Sequence, residues 1–273
     1  MTNPIHGQKI NHSNRLENSV IAITGAGSGN GKAAALRTGR EGANLYISDI
    51  NAELLEETLA DLKAEGINAA GGIFDAANID DASRFIEATK DAHGRIDVLV
   101  NNAGAVKVEP FPNVSEENWD WTMNLNLKGA FFLMQEAAKP MIDQKSGNIV
   151  NIASIAGTMG GPTSSPSYAA AKAGLVNLTT VAAAVLAQYT IRVNAIAPGI
   201  INTPFHAPVD LAIGQQQLGL APGEHINTRV GLIPLGRLGE PEDVAATVAF
   251  LASEDAAHIS GETITVAGAM RSL

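Results

Sequence analysis

The 273-residue sequence contains no cysteine. This absence excludes a disulfide framework, a thiolate zinc site and a cysteine nucleophile. It is consistent with a reducing compartment, and we expect a cytoplasmic protein. The N-terminal stretch MTNPIHGQKINHSNRLEN has no apolar core of the kind that a signal peptide carries. We also expect no membrane span, because we find no run of about 18 or more apolar residues.

Positive charge is scarce: 18 lysines and arginines stand against 28 aspartates and glutamates, which gives a formal net charge of -10. Such a field repels phosphates, and it argues against binding to nucleic acid or to an anionic membrane. Two histidines, His206 and His225, have no third ligand at a suitable spacing. We therefore expect them to be surface or loop residues, and we expect no metal site.

Apolar residues and glycine are abundant, at 45% hydrophobic residues and 27 glycines. This composition is typical of a compact fold with many tight turns. No linker rich in Pro, Gly or Ser divides the chain. We predict a polar N-terminal arm over residues 1–18 and a single domain over residues 19–273.

Seven apolar runs of strand length alternate with longer amphipathic stretches. They cover residues 19–24, 43–49, 67–75, 96–101, 147–153, 191–197 and 262–267. Runs that are apolar almost throughout are typical of parallel strands covered on both faces. We therefore predict an α/β fold, in which a doubly wound, seven-stranded parallel sheet of the Rossmann type carries helices on both faces. Such sheets bind ligands at the carboxyl ends of their strands.

A glycine-rich stretch, TGAGSGNG, follows the first run and precedes an alanine-rich helical pattern. In a phosphate-binding turn, Gly25 allows the sharp bend, Gly29 the close approach of backbone to pyrophosphate, and Gly31 the packing of helix on strand. The helix N-terminus supplies free N–H groups for the phosphates. Asn30 occupies a position that is usually aliphatic, and we expect its backbone N–H to contribute even if its side chain does not. A purely structural strand-to-helix turn is the alternative.

Asp49 closes the second run, where a carboxylate can accept hydrogen bonds from both ribose hydroxyls of an adenosine and repel a 2'-phosphate. The alternative is a helix N-cap before the stretch NAELLEE. No Arg or Lys lies between positions 41 and 62, and Ser28 stands where a basic residue could have met an extra phosphate. We therefore favour NAD over NADP as the cofactor.

Tyr168 and Lys172 lie four residues apart in a predicted helix and so share one face. They follow Ser154, which comes after the fifth run, and precede a further strand-end loop, APGIINT. Read alone, Ser154 could be an ordinary polar strand end, and Asn126 could bond a backbone carbonyl within its helix.

Taken in order, these motifs resemble the short-chain dehydrogenase/reductase family, in the subgroup with a TGxxxGxG turn and a YxxxK pair. The resemblance runs from about residue 16 to residue 270. The matching pieces are TGAGSGNG, Asp49, FDA (74–76), NNAG (101–104), MNLNLKG with Asn126, IVNIAS ending at Ser154, Tyr168 with Lys172, RVNAIAPGIINT (192–203), PLGRLGEPEDVA (234–245) and SGETITVAG (260–268).

The resemblance implies that Tyr168 exchanges a proton with the substrate oxygen while hydride moves to or from a nicotinamide. It implies that Lys172 lowers the pKa of Tyr168 and binds the nicotinamide ribose. Ser154 would hydrogen-bond the substrate oxygen, and Asn126 would hold a water that links Lys172 to solvent. The positions that it assigns to NAD are Gly25, Ser28, Gly29, Asn30, Gly31, Asp49, Asp75, Ala76, Asn102, Ala103, Gly104, Tyr168, Lys172, Pro198, Gly199, Ile201 and Thr203.

Within that set, the family pattern puts Asp75 and Ala76 near the adenine and the NNAG segment behind the adenosine. It puts the residues of APGIINT around the nicotinamide carboxamide. Read alone, Asp75 is a turn former and NNAG is a loop.

Three features depart from the family pattern besides Asn30. Ser154 and Tyr168 are 14 positions apart (168 minus 154), one more than is common, so we expect the loop over residues 158–167 to bulge. The stretch over residues 204–233 is long, and its mixture of apolar residues and glutamines predicts a lid over a mainly apolar substrate. A plain oligomer-contact helix is the alternative. The last run ends in VAGA where VDGG is common, beside an expected tetramer contact.

We therefore expect an NAD-dependent oxidoreductase that interconverts a secondary alcohol and a ketone. One alternative is an acyl-carrier-linked 3-oxoacyl reductase, against which the lack of basic residues counts. Another is a non-catalytic NAD-binding regulator, against which the intact Ser, Tyr, Lys and Asn set counts. The alanine-rich helix predicted over residues 166–188 resembles the family's dimer-forming helix, and we expect a homotetramer.

Overall fold

Seven parallel strands form one sheet in the computed structural model, which describes residues 14–159 and 165–270. The strands are β1 (Val20–Thr24), β2 (Asn44–Asp49), β3 (Ala69–Ile73), β4 (Val98–Asn101), β5 (Gly147–Ile152), β6 (Ile191–Pro198) and β7 (Thr263–Val266). Their order in the sheet is β3-β2-β1-β4-β5-β6-β7. The chain order therefore changes direction between β1 and β4, which is where sheets of this kind bind ligands.

Helices join the strands and cover both faces of the sheet. They are α1 (Gly29–Arg40), α2 (Ala52–Ala64), α3 (Ile79–His93), α4 (Glu116–Met123), α5 (Ala130–Gln144), α6 (Pro166–Leu186), α7 (Ala207–Val209), α8 (Glu224–Thr228) and α9 (Pro241–Ala252). Residues of α1, α2 and α9 pack into one core cluster, and residues of α3, α5 and α6 pack into the other. The predicted fold class is confirmed, as a single domain.

Strand β1 shows why the strand sequences are apolar throughout. Ile21 and Ile23 lie in the core cluster with α1, whereas Ala22 between them lies in the cluster with α3. All three side chains are fully buried. Because successive residues of a strand point to opposite faces, a central strand covered on both sides has no position left for a polar side chain.

The strand bounds differ from the predicted runs at their ends. The run predicted at residues 67–75 contains β3 but begins too early, because the Ile67 N–H still donates to the Leu62 carbonyl in the last turn of α2. Gly66 makes this turn with a φ of +73°, a conformation that favours glycine after a helix.

The described end of the predicted N-terminal arm, residues 14–18, packs against the domain. Leu16 is buried in the core cluster with α1. The Arg15 guanidinium donates to both carboxylate oxygens of Glu41, at 2.9 and 3.1 Å. The core therefore begins before β1, and residues 1–13 of the arm lie outside the described residues.

Helix α6, with the 3-10 turn Ala187–Tyr189 that follows it, is long and apolar enough to cross a membrane by length and composition alone, at a mean hydropathy of 1.5. The expectation that no such run exists was wrong, because alanine-rich core helices pass the same test as membrane spans. Here the helix packs against β6, and it holds a buried lysine, Lys172. These contacts make it part of the domain core.

A buried amide network fixes α6 to the sheet. Asn151 on β5 donates from Nδ2 to Thr179 Oγ1 on α6 at 2.9 Å. Its Oδ1 accepts a hydrogen bond from Asn101 Nδ2 on β4 at 3.2 Å. Because buried polar groups must keep such partners, the network sets the rotation of α6 about its axis. It thereby sets the direction in which the first turns of α6 present their side chains.

Candidate active site

The glycine turn lies at the carboxyl end of β1, directly beside the end of β4. Gly25 has a φ of +64°, and Asn102 Nδ2 donates to the carbonyl oxygens of Thr24 and Gly25 at 2.9 Å each. A Cβ at position 31 would overlap the Gly25 carbonyl oxygen, so Gly31 permits α1 to approach β1. Asn102 therefore holds the turn in shape through hydrogen bonds, and it need not contact a ligand to be essential.

Helix α1 begins within the turn, and its first N–H groups face the cleft. Ser28 is the N-cap, but its side chain makes no capping hydrogen bond, and the first turn carries no acidic residue. Gly29, with a φ of +51°, lies against Thr203, whose Cγ2 would be 3.2 Å from a Cβ at position 29. The loop after β6 thus closes over the start of α1, where free N–H groups and the helix dipole favour an anion.

The asparagine of the turn does not use its side-chain oxygen. Asn30 Oδ1 is buried and has no hydrogen-bond partner among the residues that the structure describes. An unpaired buried acceptor costs about 1–3 kcal/mol. The backbone N–H of Asn30, at the start of α1, remains available for a phosphate.

Asp49 lies half-buried at the end of β2 and is held by two backbone N–H groups. Its Oδ2 accepts a hydrogen bond from Gly27 and its Oδ1 from Asn51, both at 2.9 Å. The N-cap of α2 is Asn51, whose side chain accepts from Leu54 N, so the alternative of Asp49 as the cap is wrong. Each carboxylate oxygen keeps one lone pair for a further donor.

Gly27 is a residue that the sequence analysis did not assign. A Cβ at this position would lie 2.8 Å from Asp49 Oδ2, which would prevent the hydrogen bond from the Gly27 N–H. The signal was present, since Gly27 lies within the glycine turn, but its partner is 22 positions away along the chain. Only the pairing of β1 with β2 brings the two together.

Asp75 and Ala76 lie at the corresponding end of β3. Asp75 Oδ1 accepts from Ala77 N at 2.9 Å, as expected of a turn former. The Asp75 N–H donates to Asp81 Oδ2 at 2.9 Å, and Asp81 itself lines the same cleft. Asp81 also binds the Arg84 guanidinium. The sequence analysis missed Asp81, because it sits in the first turn of α3, where an acidic residue is ordinary.

The hydroxyl groups of Ser154 and Tyr168 meet in the cleft although they lie on different elements. Ser154 lies two residues after the end of β5, and its hydroxyl is close enough to the Tyr168 phenol to lower the pKa of that group, while its Oγ accepts from Ala156 N at 3.1 Å. Lys172 Nζ lies 5.7 Å from the centre of the Tyr168 ring and donates to the Ile152 carbonyl at 2.9 Å. Residues 160–164 of the expected bulge lie outside the described residues.

Asn126 lies in a π-helical turn, Asn124–Gly129, between α4 and α5. Its Nδ2 donates to the carbonyls of Ala105 and Thr122 at 3.0 and 3.1 Å, whereas its buried Oδ1 has no partner among the described residues. A Cβ on Gly104 would lie 2.8 Å from Asn126 Oδ1 and 3.3 Å from Lys172 Nζ. Gly104 therefore leaves a small polar gap between these two side chains, of the kind that a buried water fills.

Loss of water governs the protonation of the two central groups. Burial raises the pKa of Tyr168 above its usual value of 10, and the hydrogen bond from Ser154 lowers it only in part. Burial also lowers the pKa of Lys172 to about 8. The lowering of this pKa that the resemblance assigns to Lys172 stays a prediction, because burial is the largest influence on Tyr168 in the protein without a cofactor. At pH 7 both groups are mainly protonated.

The stretch at 204–233 is a folded segment. It contains a 3-10 turn (Pro204–His206), α7, a π-helical turn (Asp210–Gln215), α8 and a second 3-10 turn (Arg229–Leu232). The buried Asp210 carboxylate accepts hydrogen bonds from the backbone N–H groups of Gly223 and His225 at 2.9 and 3.2 Å. These bonds tie the two halves of the segment together and lower the pKa of Asp210.

One cleft of about 1010 Å³ runs from the glycine turn to this segment. It is lined by Ser154, Tyr168 and Lys172 and by every position assigned to NAD except Gly31, which is buried beneath it together with Asn126. His206, which was expected to be a surface or loop residue, lies in the 3-10 turn Pro204–His206 and lines the cleft. Among the described residues no group of three His, Cys, Asp or Glu could hold a metal.

The unpaired Asn30 oxygen leads to a prediction about the glycine turn. Asn30→Ile should raise the free energy of unfolding by about 1–2 kcal/mol, because it removes a buried acceptor that has no donor. The Kd for NAD should change less than tenfold, since the backbone N–H is kept. Denaturant unfolding and calorimetric titration measure the two quantities, with Asn30→Ala as the control that removes the amide without adding apolar packing. A gain in affinity far above tenfold would mean that Asn30 impairs the turn.

Known proteins match this chain in sequence over most of its length. The sequence profile described as short chain dehydrogenase matches residues 19–213. A subunit of (2S)-((R)-hydroxy(phenyl)methyl)succinyl-CoA dehydrogenase from Thauera aromatica is 40% identical over 253 residues, which cover 93% of this chain and 96% of that protein. The 3-oxoacyl-(acyl-carrier-protein) reductase of Thermotoga maritima is 38% identical over 258 residues, which cover 94% of this chain and 99% of that protein.

Solved structures of related proteins share the fold of this chain. A variant of actinorhodin polyketide ketoreductase, in a crystal structure with NADPH, has a TM-score of 0.88 and 31% identity, covering 93% of this chain and 98% of that one. Similarity of this extent in both sequence and fold confirms the resemblance that the motifs carried. This chain belongs to the short-chain dehydrogenase/reductase family, whose members are oxidoreductases that act on alcohol and ketone groups and use a nicotinamide cofactor.

Proposed function

We propose that this protein is an NAD-dependent oxidoreductase that interconverts a secondary alcohol and a ketone. The observation that carries the proposal is that Ser154, Tyr168 and the buried Lys172 line one cleft, which begins at a glycine turn. When bound, the nicotinamide supplies the acceptor or donor of hydride. The protein supplies the binding of the substrate oxygen and the movement of its proton.

Tyr168 is the proton donor and acceptor in this proposal. Its raised pKa keeps the phenol protonated in the free protein, which suits donation to a ketone oxygen. In the opposite direction the phenol must first lose its proton, and a positive charge near the ring favours that loss. Ser154 then donates to whichever oxygen carries more negative charge, either the phenolate or the substrate alkoxide.

Lys172 and Asn126 provide a path for the proton to leave. A water in the gap above Gly104 would lie within reach of both Lys172 Nζ and Asn126 Oδ1. The Asn126 oxygen has no partner in the described protein and is therefore free to accept from such a water. With a pKa of about 8, Lys172 can exchange a proton near neutral pH.

The preference for NAD over NADP rests on the charges around the end of β2. Asp49 repels a 2'-phosphate, and its two backbone donors hold its carboxylate at the cleft. The nearest arginines in the sequence are committed to carboxylates, Arg37 to Glu41 and Arg40 to Glu65. Among the described residues that line the cleft, the only lysine and arginine are Lys172 and Arg229, and neither lies at the end of β2.

A second candidate is a reductase of 3-oxoacyl groups on an acyl carrier, which the similarity to the Thermotoga maritima reductase favours. An acidic carrier protein needs a basic docking surface, and this chain has a formal net charge of -10. We therefore place a free small molecule first. Apolar side chains of the cleft near Tyr168, among them Phe205 and Ile155, suit a mainly apolar group around the reacting carbon.

We also propose a cytoplasmic homotetramer. The absence of cysteine fits a reducing compartment. Helix α6 exposes Val181 and Val185, at 50% and 56%, on its outer face. Apolar side chains in a row on one helix are a suitable contact for a second copy.

Light scattering at micromolar protein concentration should give four chains per particle, and a monomer at that concentration would contradict this assembly.

Substitution of Tyr168 tests the proposed reaction. Tyr168→Phe should lower the rate of NADH formation by about 10²–10⁴-fold, because it removes general acid–base catalysis while the ring and its packing remain. The assay uses a panel of secondary and cyclic alcohols, with NAD and NADP measured side by side. Wild-type turnover should require NAD and be much slower with NADP.

Two results contradict this account. Turnover that survives in Tyr168→Phe would remove the phenol from the reaction. Turnover that is faster with NADP would mean that Asp49 does not set the cofactor preference. The matched control is Tyr189→Phe, which alters the tyrosine that follows α6 and does not line the cleft.

A further inference from the structure

The cleft contains an arginine that the proposed reaction does not use. Its charged lining residues, among those the structure describes, are Asp49, Asp75, Asp81, Lys172 and Arg229. Asp49 and Asp75 lie at the ends of β2 and β3, Asp81 lies beside Asp75 in the first turn of α3, and Lys172 donates to the Ile152 carbonyl. Arg229, in contrast, begins a 3-10 turn of the 204–233 segment and is half-buried.

Arg229 differs from the other described arginines in having no partner within residues 14–159 and 165–270. Of the eight arginines that the structure describes, seven bind a carboxylate or a backbone carbonyl: Arg15, Arg37, Arg40, Arg84, Arg95, Arg192 and Arg237. No hydrogen bond or ion pair joins Arg229 to any described residue. A guanidinium has five N–H donors, and leaving them unpaired in a partly desolvated place costs free energy. Such a group is poised for a ligand that brings the acceptor.

The aromatic side chains of the segment relate Arg229 to the reacting group. The Phe205 ring lies 5.5 Å from the Tyr168 ring and 5.6 Å from the His206 ring, measured between centroids. The positive charge of Arg229 is close enough to His206 to help lower the pKa of that imidazole, after the larger effect of burial. His206 is therefore neutral near pH 7, and Arg229 supplies the positive charge in this part of the cleft.

We propose that Arg229 binds the anionic end of the substrate, and that the substrate is a secondary alcohol or ketone carrying a carboxylate. The reacting carbon lies at Tyr168, an apolar portion passes Phe205, and the carboxylate reaches Arg229. A guanidinium matches a carboxylate in a two-pronged, planar arrangement. The inference rests on the proposed function for the position of the reacting carbon, whereas the anion site depends only on Arg229 and its surroundings.

The cofactor is the competing source of negative charge. A 2'-phosphate would lie beyond Asp49 at the end of β2. Arg229 belongs to the segment that follows β6, and β6 is four strands from β2 in the sheet, or about 19 Å at 4.8 Å per strand. The pyrophosphate is nearer, because Thr203 in the same loop region touches Gly29 of the glycine turn. The experiment must therefore separate a substrate carboxylate from the cofactor diphosphate.

Two probes that differ by one charge make that separation: 4-acetylbenzoate and its methyl ester. Both contain the same ketone and ring. Calorimetry gives their Kd values with and without saturating NADH. Wild type should bind the carboxylate at least about tenfold tighter than the ester, and Arg229→Gln should abolish this preference while changing the Kd of the ester less than about twofold.

Three control variants distinguish a specific effect of Arg229 from a general change in charge or in activity. Lys90→Gln removes one positive charge from the exposed face of α3, away from the cleft, and should keep the preference. Arg229→Lys keeps the positive charge but lacks the planar guanidinium, and it should keep part of the preference for the carboxylate. Tyr168→Phe should keep the whole preference while losing turnover, so failure of the anion site and failure of the proposed reaction give different results.

Equal binding of the two probes by wild type, including binding of neither, overturns the proposal. It is also overturned if Arg229→Gln weakens NADH and both probes alike, because Arg229 then serves the cofactor diphosphate. Wild type that prefers the carboxylate but never reduces it contradicts the proposed reaction and leaves the anion site intact.

Discussion

Exclusion of water from Tyr168 and Lys172 is the constraint on which the chemistry of this cleft depends. Lys172 is 3% exposed. Burial favours the neutral form of each group, so it raises the pKa of the Tyr168 phenol and lowers the pKa of the Lys172 ammonium. In such surroundings an added charge acts far more strongly than it would in water. The proposed reaction uses this property, since the oxidised nicotinamide is positive and the reduced one is neutral. Cofactor state and phenol ionisation are thereby coupled.

Glycines allow the backbone to bring these groups together, and each does so for a different reason. Gly31 permits α1 to pack on β1, Gly27 leaves room for the Asp49 carboxylate, and Gly104 leaves the gap between Asn126 and Lys172. The cleft that results is also divided by charge. Its aspartates lie at the ends of β2 and β3 and in the first turn of α3, whereas Arg229 lies in the segment after β6. A substrate and a cofactor can therefore be distinguished by where each carries its negative charge.

The sheet and most cleft positions could be predicted because their signals are local. Continuous apolar runs predicted strands buried on both faces, and the order of the motifs along the chain placed Ser154, Tyr168 and Lys172 at one edge of the sheet. The expectation that no segment is apolar enough to span a membrane was wrong for α6, because local composition does not distinguish a core helix from a membrane-spanning helix.

Features that depend on distant contacts could not be predicted. The bond from Gly27 to Asp49 requires β1 and β2 to pair, and the inward position of His206 requires the fold of the 204–233 segment. That Arg229 has no partner among the described residues can be seen only from the folded structure. The pKa of Tyr168 is a similar case, because the balance between desolvation and the nearby Ser154 hydroxyl depends on the depth of burial and not on sequence spacing.

The ionisation of Tyr168 tests the central claim most directly. Its titration is measured as the ultraviolet difference between wild type and Tyr168→Phe, first without cofactor and then with saturating NAD. We predict that the phenol of the free protein stays protonated up to its usual pKa of 10 and beyond, and that NAD lowers the midpoint by about two units or more. A phenol that ionises below pH 10 in the free protein, or one whose titration NAD leaves unchanged, would contradict the account.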